Sequence, residues 1–381
     1  MINISKLYCG LAGESDHLRY NKRNDFGPIA VFNCTKRCNL KCQHCYSSSD
    51  KSLNDVELNT DQAINLLDQL KEANCPVVLF SGGEPLLRGD LFELLEYAKK
   101  IGLRTVISTN GTLIDEKVAK KLAGVNIGYV GISLDGPKQL HDKFRCVKGC
   151  FDKTIAGFKN CQKFGIKAGL RFTITKANKD CVGEMFEIAS DNGIRRICFY
   201  HLIGTGRAVE ILSQSLTPEQ TRTTIDTLLA KTSEFVGKGL IDEVLTVGNH
   251  ADGPYLLVKM QQQGNSDFEK AKELLTINGG NKIGEKIACI SWDGSVYADQ
   301  FWRNYCLGNV TIKSFKDIWY SDSDPVLYRL HNKDKFAAEV CLSCRWFELC
   351  KGNYRFLGED SSDENWFNEP KCYLCEEEIT K

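Results

Sequence analysis

Three cysteines within residues 38–45 constrain this chain more than any other feature of it. Residues 33–46 read NCTKRCNLKCQHCY, and Cys38, Cys42 and Cys45 stand in the spacing C-x3-C-x2-C. Thiolates on one short loop suit an iron–sulfur cluster, which proteins hold through cysteine sulfur. A [4Fe–4S] cluster has four irons, and a fourth nearby cysteine would close the set. Here the chain runs on into Tyr46 and three serines, so one iron is left open to a small molecule. An open position is what a metal needs to do chemistry. A zinc site is the alternative for the same thiolates, with His44 as a conceivable fourth ligand.

Around this loop the chain alternates two kinds of segment. Candidate strands at 29–33, 77–80, 104–108, 128–134, 167–174 and 195–200 are separated by amphipathic helical stretches at 60–73, 90–101, 115–122, 152–164 and 180–192. Several of the helices open on Asp or Thr, which are good N-caps. Strict alternation predicts parallel βα units. Six units predict an α/β fold, a partial (β/α)6 TIM-type barrel with its chemistry at the C-terminal ends of the strands. Polar turns fall in that register: Ser81-Gly82-Gly83-Glu84-Pro85, Ser108-Thr109-Asn110-Gly111 and Ser133-Leu134-Asp135-Gly136 follow successive strands, and His201 follows the sixth.

The barrel is expected over 28–205. Residues 1–27 are polar and are expected to be an irregular cap over the catalytic face, with Asp16, His17 and Arg19 in reach of a ligand. Residues 206–285 read as a helical linker whose longest helix spans 217–236, with Pro218 at its first turn. Within it, VLTVGNHAD at 244–252 reads as a strand and a polar turn. A cysteine-rich domain over 286–381 opens on a hairpin with Asp293-Gly294 as its turn.

Net charge is zero, with 49 basic and 49 acidic residues, so no basic field invites nucleic acid. No apolar run approaches the roughly 20 residues that span a bilayer, and the N-terminus lacks a signal-peptide core. No nucleic-acid or membrane partner and a cytoplasmic location are therefore expected. The 18 cysteines are too few for a secreted disulfide scaffold; metal binding is the better default in a reducing compartment, and Cys9, Cys34, Cys75, Cys146, Cys150, Cys161, Cys181 and Cys198, which show no ligand spacing, read mostly as small buried hydrophobes.

The C-x3-C-x2-C loop with its following aromatic, the GGEP turn and the ISLD turn together resemble the radical S-adenosylmethionine (SAM) enzymes. The resemblance implies that the open iron binds SAM, and that one electron from the cluster splits SAM into methionine and a 5′-deoxyadenosyl radical that abstracts hydrogen. It implies a methionine-amino contact at Gly82, Gly83 and Glu84 and places Tyr46 beside the cofactor. Ser108 and Asn110 are candidates for the methionine or ribose part, and Ser133 and Asp135 for the ribose. Arg171, on the fifth strand, suits a carboxylate of SAM or of the substrate.

Near the C-terminus Cys341, Cys344 and Cys350 stand in the spacing C-x2-C-x5-C, followed by Cys372 and Cys375. Four thiolates close a cluster fully. Cys341, Cys344, Cys350 and Cys372 are the favoured set for one auxiliary [4Fe–4S] cluster, with Cys375 as a substitute for the last and a structural zinc as the alternative. This tail resembles the SPASM/twitch extension of radical SAM enzymes. A full extension has a cysteine where this chain has Asp299, and Cys289 and Cys306 do not complete a set, so a single auxiliary cluster is expected.

Further segments, ISKLYCG, VGNHADGPY, DQFWRNYCLGNV, CRWFELCKGN and CYLCEEEI, resemble the radical SAM enzymes of siroheme-dependent haem biosynthesis. That implies an iron tetrapyrrole substrate, 12,18-didecarboxysiroheme, losing acetate side chains to give Fe-coproporphyrin III. A low-potential donor such as ferredoxin or flavodoxin would supply the electron. The haem d1 branch, coproheme decarboxylation and peptide maturation remain alternatives, and so does a non-catalytic iron–sulfur electron carrier. Phe199, Tyr200, Tyr255, Phe301 and Trp302 are candidates to line a cleft for the ring. Arg171, Arg207 and Arg303 are candidates for its carboxylates. His201 or His250 would serve as an axial ligand to iron, with Asp252 in the same polar turn as His250.

Overall fold

Alternation along the strands sorts this molecule into an apolar outer face and a polar lumen. The computed structural model describes residues 1–11, 26–52, 56–353 and 372–380, so Asp16, His17 and Arg19 lie outside the described residues. Its strands are β1 (Ile2–Asn3), β2 (Ile29–Thr35), β3 (Val78–Gly82), β4 (Thr105–Thr109), β5 (Val130–Ser133), β6 (Ala168–Ile174), β7 (Arg196–His201), β8 (Glu243–Val247), β9 (Ile287–Ile290), β10 (Ser295–Tyr297) and β11 (Gly308–Asn309). They form one sheet in the order β1-β8-β7-β6-β5-β4-β3-β2-β9-β10-β11. The six expected strands are β2–β7, all parallel to their neighbours.

The outer face carries Phe32, Phe80, Ile107, Ile132, Phe172 and Phe199, all buried in the main core. Each such ring or branched side chain contributes roughly 1.5–3 kcal/mol when removed from water. The helices that cover them repeat the same logic. In α2 (Thr60–Glu72) Ala63, Leu66, Leu67 and Leu70 are buried, and Asn59 with Gln62 forms a capping box. In α3 (Leu91–Lys100) Leu91, Leu94, Leu95 and Ala98 hold the same spacing.

Four features depart from the sequence expectations. Residues 1–8 are not irregular: β1 pairs antiparallel with β8, and the helix Ile4–Tyr8 packs against the helix Pro218–Gly237 and buries Ile4 and Leu7. They sit at the β8 edge and not over the rim. The segment at 244–252 supplies β8, which pairs parallel with β7 and lengthens the barrel sheet. The hairpin with Gly294 at its turn forms as expected, yet its first strand β9 lies parallel to β2, so it continues the barrel at the other edge. An unexpected helix, Lys138–Arg145, precedes the expected one, Cys150–Lys163. No helix among the described residues is long and apolar enough to cross a membrane.

Candidate active site

The loop after β2 gathers its three cysteines. Cys38 and Cys42 are buried beside Leu40 and Cys150, with Cys45 packed against them. Each sulfur accepts one N–H: Cys38 from Leu40 N at 3.4 Å, Cys42 from Arg145 Nη1 at 3.4 Å and Cys45 from Ser49 N at 3.4 Å. Such donors favour thiolate over thiol. Against them, burial pushes the Cys38 thiol up to about 12, and the neighbouring sulfurs Cys42 and Cys45 add to the rise. Mutually repelling buried thiols with N–H groups already aimed at them fit iron ligation, since iron supplies the missing positive charge. His44 is stacked on Phe144 with ring centroids 4.4 Å apart, and burial drives its imidazole down to about 3. Among the described residues no three His, Cys, Asp or Glu side chains converge on a single metal ion.

The GGEP turn is stitched to this loop. Gly83 N donates to Thr35 O at 2.7 Å and Glu84 N to Arg37 O at 2.8 Å. A Cβ on Gly83 would stand 2.1 Å from Arg37 O, and one on Gly82, at φ +123°, would stand 2.3 Å from Thr35 O. The close backbone approach that both glycines permit is thus to the cluster loop itself. Glu84 is fully buried. Its carboxylate accepts from Thr109 Oγ1 at 2.7 Å, Asn110 N at 2.9 Å and Leu86 N at 3.2 Å, which ties the β3 and β4 ends together. Burial raises its carboxyl to about 7 against those donors. Asn110 in turn donates from Nδ2 to Asn39 Oδ1 at 2.8 Å, so the third rim turn also grips the cluster loop.

Inside the lumen Arg171 faces inward. Its Nη1 donates to Ser108 Oγ, and its guanidinium crosses Gly131, where a Cβ would stand 2.2 Å from Nε. Ser133 pairs in register with Arg171 at the end of β5. Tyr46 donates to Asn33 Oδ1 at 2.8 Å and lies 3.1 Å from Ser81 Oγ. Asp135, expected at a ribose, has no exposed surface. It is ion-paired with Arg145 and accepts from Thr173 N at 2.8 Å. Burial would raise its carboxyl, but Arg145, His44 and His141 hold it below the usual range.

Arg145 escaped the sequence analysis. The signal lies in the spacing of His141, Phe144 and Arg145, which share the buried face of their helix. A charge on such a face demands a partner.

The substrate candidates separate. Arg207 also belongs to the cluster loop, donating from N to Cys45 O at 3.0 Å and from Nε to Cys42 O at 2.9 Å. Arg303 lies between the Trp292 and Tyr297 rings, 5.0 and 4.7 Å from their centroids, and donates to Ser291 Oγ at 2.9 Å. Phe301 meets the Tyr46 ring edge-on at 5.3 Å, and Tyr200 lies in the lumen near Arg171. Trp302 is buried in a small cluster with Ile283, Ala298 and Leu330. Phe199 and Tyr255 are buried core residues. His201 is paired with Asp252 at 3.0 Å, and the His250 N–H donates to Asn353 Oδ1 at 2.8 Å.

In the C-terminal group Cys350 lies within electrostatic reach of three other thiols. Burial raises it well above the ordinary range, and Cys372, Cys341 and Cys344 push the same way. Cys372 likewise feels Cys341 and Cys344. Cys375 instead starts the short helix Glu376–Ile379 as its N-cap. The position of Asp299 serves a turn: its Oδ1 accepts from Phe301 N at 2.8 Å and Trp302 N at 2.7 Å.

Comparison with known proteins agrees with this geometry. Residues 32–189 match the Radical SAM superfamily, and residues 282–345 match SPASM, an iron–sulfur cluster-binding domain. The chain belongs to the radical SAM enzymes that carry a SPASM extension; it binds a [4Fe–4S] cluster and SAM in the barrel and auxiliary iron–sulfur in the extension. Fe-coproporphyrin III synthase of Methanosarcina barkeri (strain Fusaro) is 45% identical, over 100% of this chain and 99% of its own. Pre-heme d1 synthase of Dinoroseobacter shibae is 34% identical, over 91% of this chain and 86% of its own. Streptococcus suis SuiB, solved with its precursor peptide SuiA, shares the fold with a TM-score of 0.71 at 20% identity, over 92% of this chain and 76% of that one.

Proposed function

We propose that this enzyme removes acetate side chains from an iron tetrapyrrole, converting 12,18-didecarboxysiroheme to Fe-coproporphyrin III. The observation that carries the reading is the 45% identity to Fe-coproporphyrin III synthase along the whole of both chains. Cys38, Cys42 and Cys45 would hold the SAM cluster, and Cys341, Cys344, Cys350 and Cys372 the auxiliary one. When bound, the cluster supplies the electron that turns SAM into a source of the 5′-deoxyadenosyl radical. The protein's own task is placement and exclusion of water. Glu84, Asn110 and Arg207 fix the cluster loop against three strand ends, and Arg171 with Ser133 offers donors from the lumen wall. A low-potential donor of the ferredoxin or flavodoxin type would deliver the electron.

The test supplies didecarboxysiroheme, coproheme and a model peptide to anaerobically reconstituted enzyme with SAM and dithionite, followed by mass spectrometry. Loss of acetate units from didecarboxysiroheme is expected. Decarboxylation of coproheme or modification of the peptide instead would replace the reading with a sister activity. Intact clusters without any 5′-deoxyadenosine would make the protein an electron carrier.

A further inference from the structure

A cavity of about 300 Å³ lies at the C-terminal ends of β6 and β7, and His201, Gly204, Leu216 and Cys372 are among the residues that line it. Cys372 of the C-terminal cysteine group lines it, and the chain beyond Gly204 leads to the first group. The wall at Ile203 and Gly204 continues into Gly206 and Arg207, whose backbone clasps Cys45: a Cβ on Gly206 would stand 2.5 Å from Cys45 O. Tyr373, next to Cys372 in the chain, lines it as well.

His201 is held there in a particular way. Its Nε2 lies 3.0 Å from Asp252 Oδ2, and Asp252 is itself 2% exposed. The other carboxylate oxygen accepts from Tyr373 Oη at 2.8 Å, so the carboxylate is fixed from behind. A buried, anchored carboxylate draws the imidazole proton to Nε2 and leaves Nδ1 with its lone pair. Among the described residues the imidazole's hydrogen bond is made by Nε2, and the residue lines the cavity. A histidine that ligates a metal almost always gives its other N–H to a carboxylate, which sets the tautomer and raises ligand strength.

We propose that His201, through Nδ1, is the protein ligand to the iron of the tetrapyrrole, with Asp252 and Tyr373 as its positioning residues. The inference rests on the function proposed above and turns on His201, whose imidazole the structure ties to a buried carboxylate. Leu202, Ile203, Leu216 and Ile174 supply apolar wall beside the imidazole. At its volume the cavity lies at the small end of ligand sites, so it takes the part of the macrocycle around the iron while the periphery extends beyond it.

The test uses reconstituted full-length enzyme titrated anaerobically with Fe-coproporphyrin III, read by resonance Raman of the ferrous form and by the Soret band. An iron–imidazole stretch is expected in the wild type and in H250A. H201A is expected to lose the stretch and to regain it with added imidazole. D252N is expected to shift it to lower frequency and to weaken binding about 10–100-fold, the usual effect of removing such a support. That variant also keeps the test decisive if H201A folds poorly. Wild-type binding without the stretch, or a stretch that survives in H201A or vanishes in H250A, overturns the assignment and leaves the proposed function standing. Failure of the wild type to bind any iron tetrapyrrole sinks the proposed function and this inference with it.

Discussion

Arg145 lies against Cys42, with Nη1 3.4 Å from the sulfur, while its Nη2 is paired with the buried carboxylate of Asp135. A cation is thereby fixed beside one of the three sulfurs, and it is held by a residue from the fourth rim turn. Desolvation alone would raise the Cys42 thiol, and Arg145 opposes that rise.

Replacing Arg145 by Leu strands Asp135 without its partner. Breaking one half of a buried ion pair costs about 3–5 kcal/mol, and that loss is expected in denaturant unfolding at neutral pH. The sign with pH follows from the lowered Asp135 carboxyl. Its stabilising contribution in the wild type is present at neutral pH and is lost as pH falls through the carboxylate range. R145L should lack this acid-side loss.

Glu84 should behave in the opposite sense. Its folded value of about 7 lies above its ordinary 4.5, so it favours the fold most at low pH, and that advantage is lost as pH climbs between those two values. Unfolding curves of wild type and E84Q, compared from pH 5 to pH 8, should shift progressively in favour of E84Q. A constant difference across that range would contradict the assignment.

Gly83→Ala tests the seam between the GGEP turn and the cluster loop. The added methyl meets backbone at 2.1 Å, where no side-chain rotation gives relief. A loss of about 1–3 kcal/mol is expected from such overpacking, together with a lower yield of reconstituted cluster by iron analysis. Gly124→Ala, where a Cβ meets nothing within 4 Å, is the control that should leave cluster assembly intact.

Cys372→Ala and Cys375→Ala separate the two readings of the tail. Cys372 is in electrostatic reach of Cys341, Cys344 and Cys350, whereas Cys375 caps a helix. C372A should lose roughly half of the iron, one cluster of two, and C375A should keep it. Equal iron loss in both would show that the tail rearranges on loading.

Much of the barrel was legible in the chain because its signals are local. Leu66, Leu67 and Leu70 at helical spacing predict α2, and alternating Phe32 and Phe80 with Asn33 and Ser81 predicts strands with one apolar and one polar face. The spacing of Cys38, Cys42 and Cys45 is local in the same sense, since three cysteines on one loop need no distant partner to be recognised. By contrast, the sequence offers Glu84 as a fixed negative charge for the methionine amino group, and only the approach of Thr109 and Asn110 shows what its carboxylate meets in the fold.

What the sequence by itself determined is the alternation of strands and helices from β2 to β7, the spacing of three cysteines on one loop and the rim of polar turns, because periodicity and spacing are properties of neighbouring residues. Tertiary structure decided the rest. It placed β1 against β8, more than two hundred residues away in the chain, and laid β9 along β2. It brought Arg145 to Cys42 and Asp252 behind His201. A buried charge or an unpaired strand edge states only that some partner must exist; which partner it finds depends on how the packed layers close.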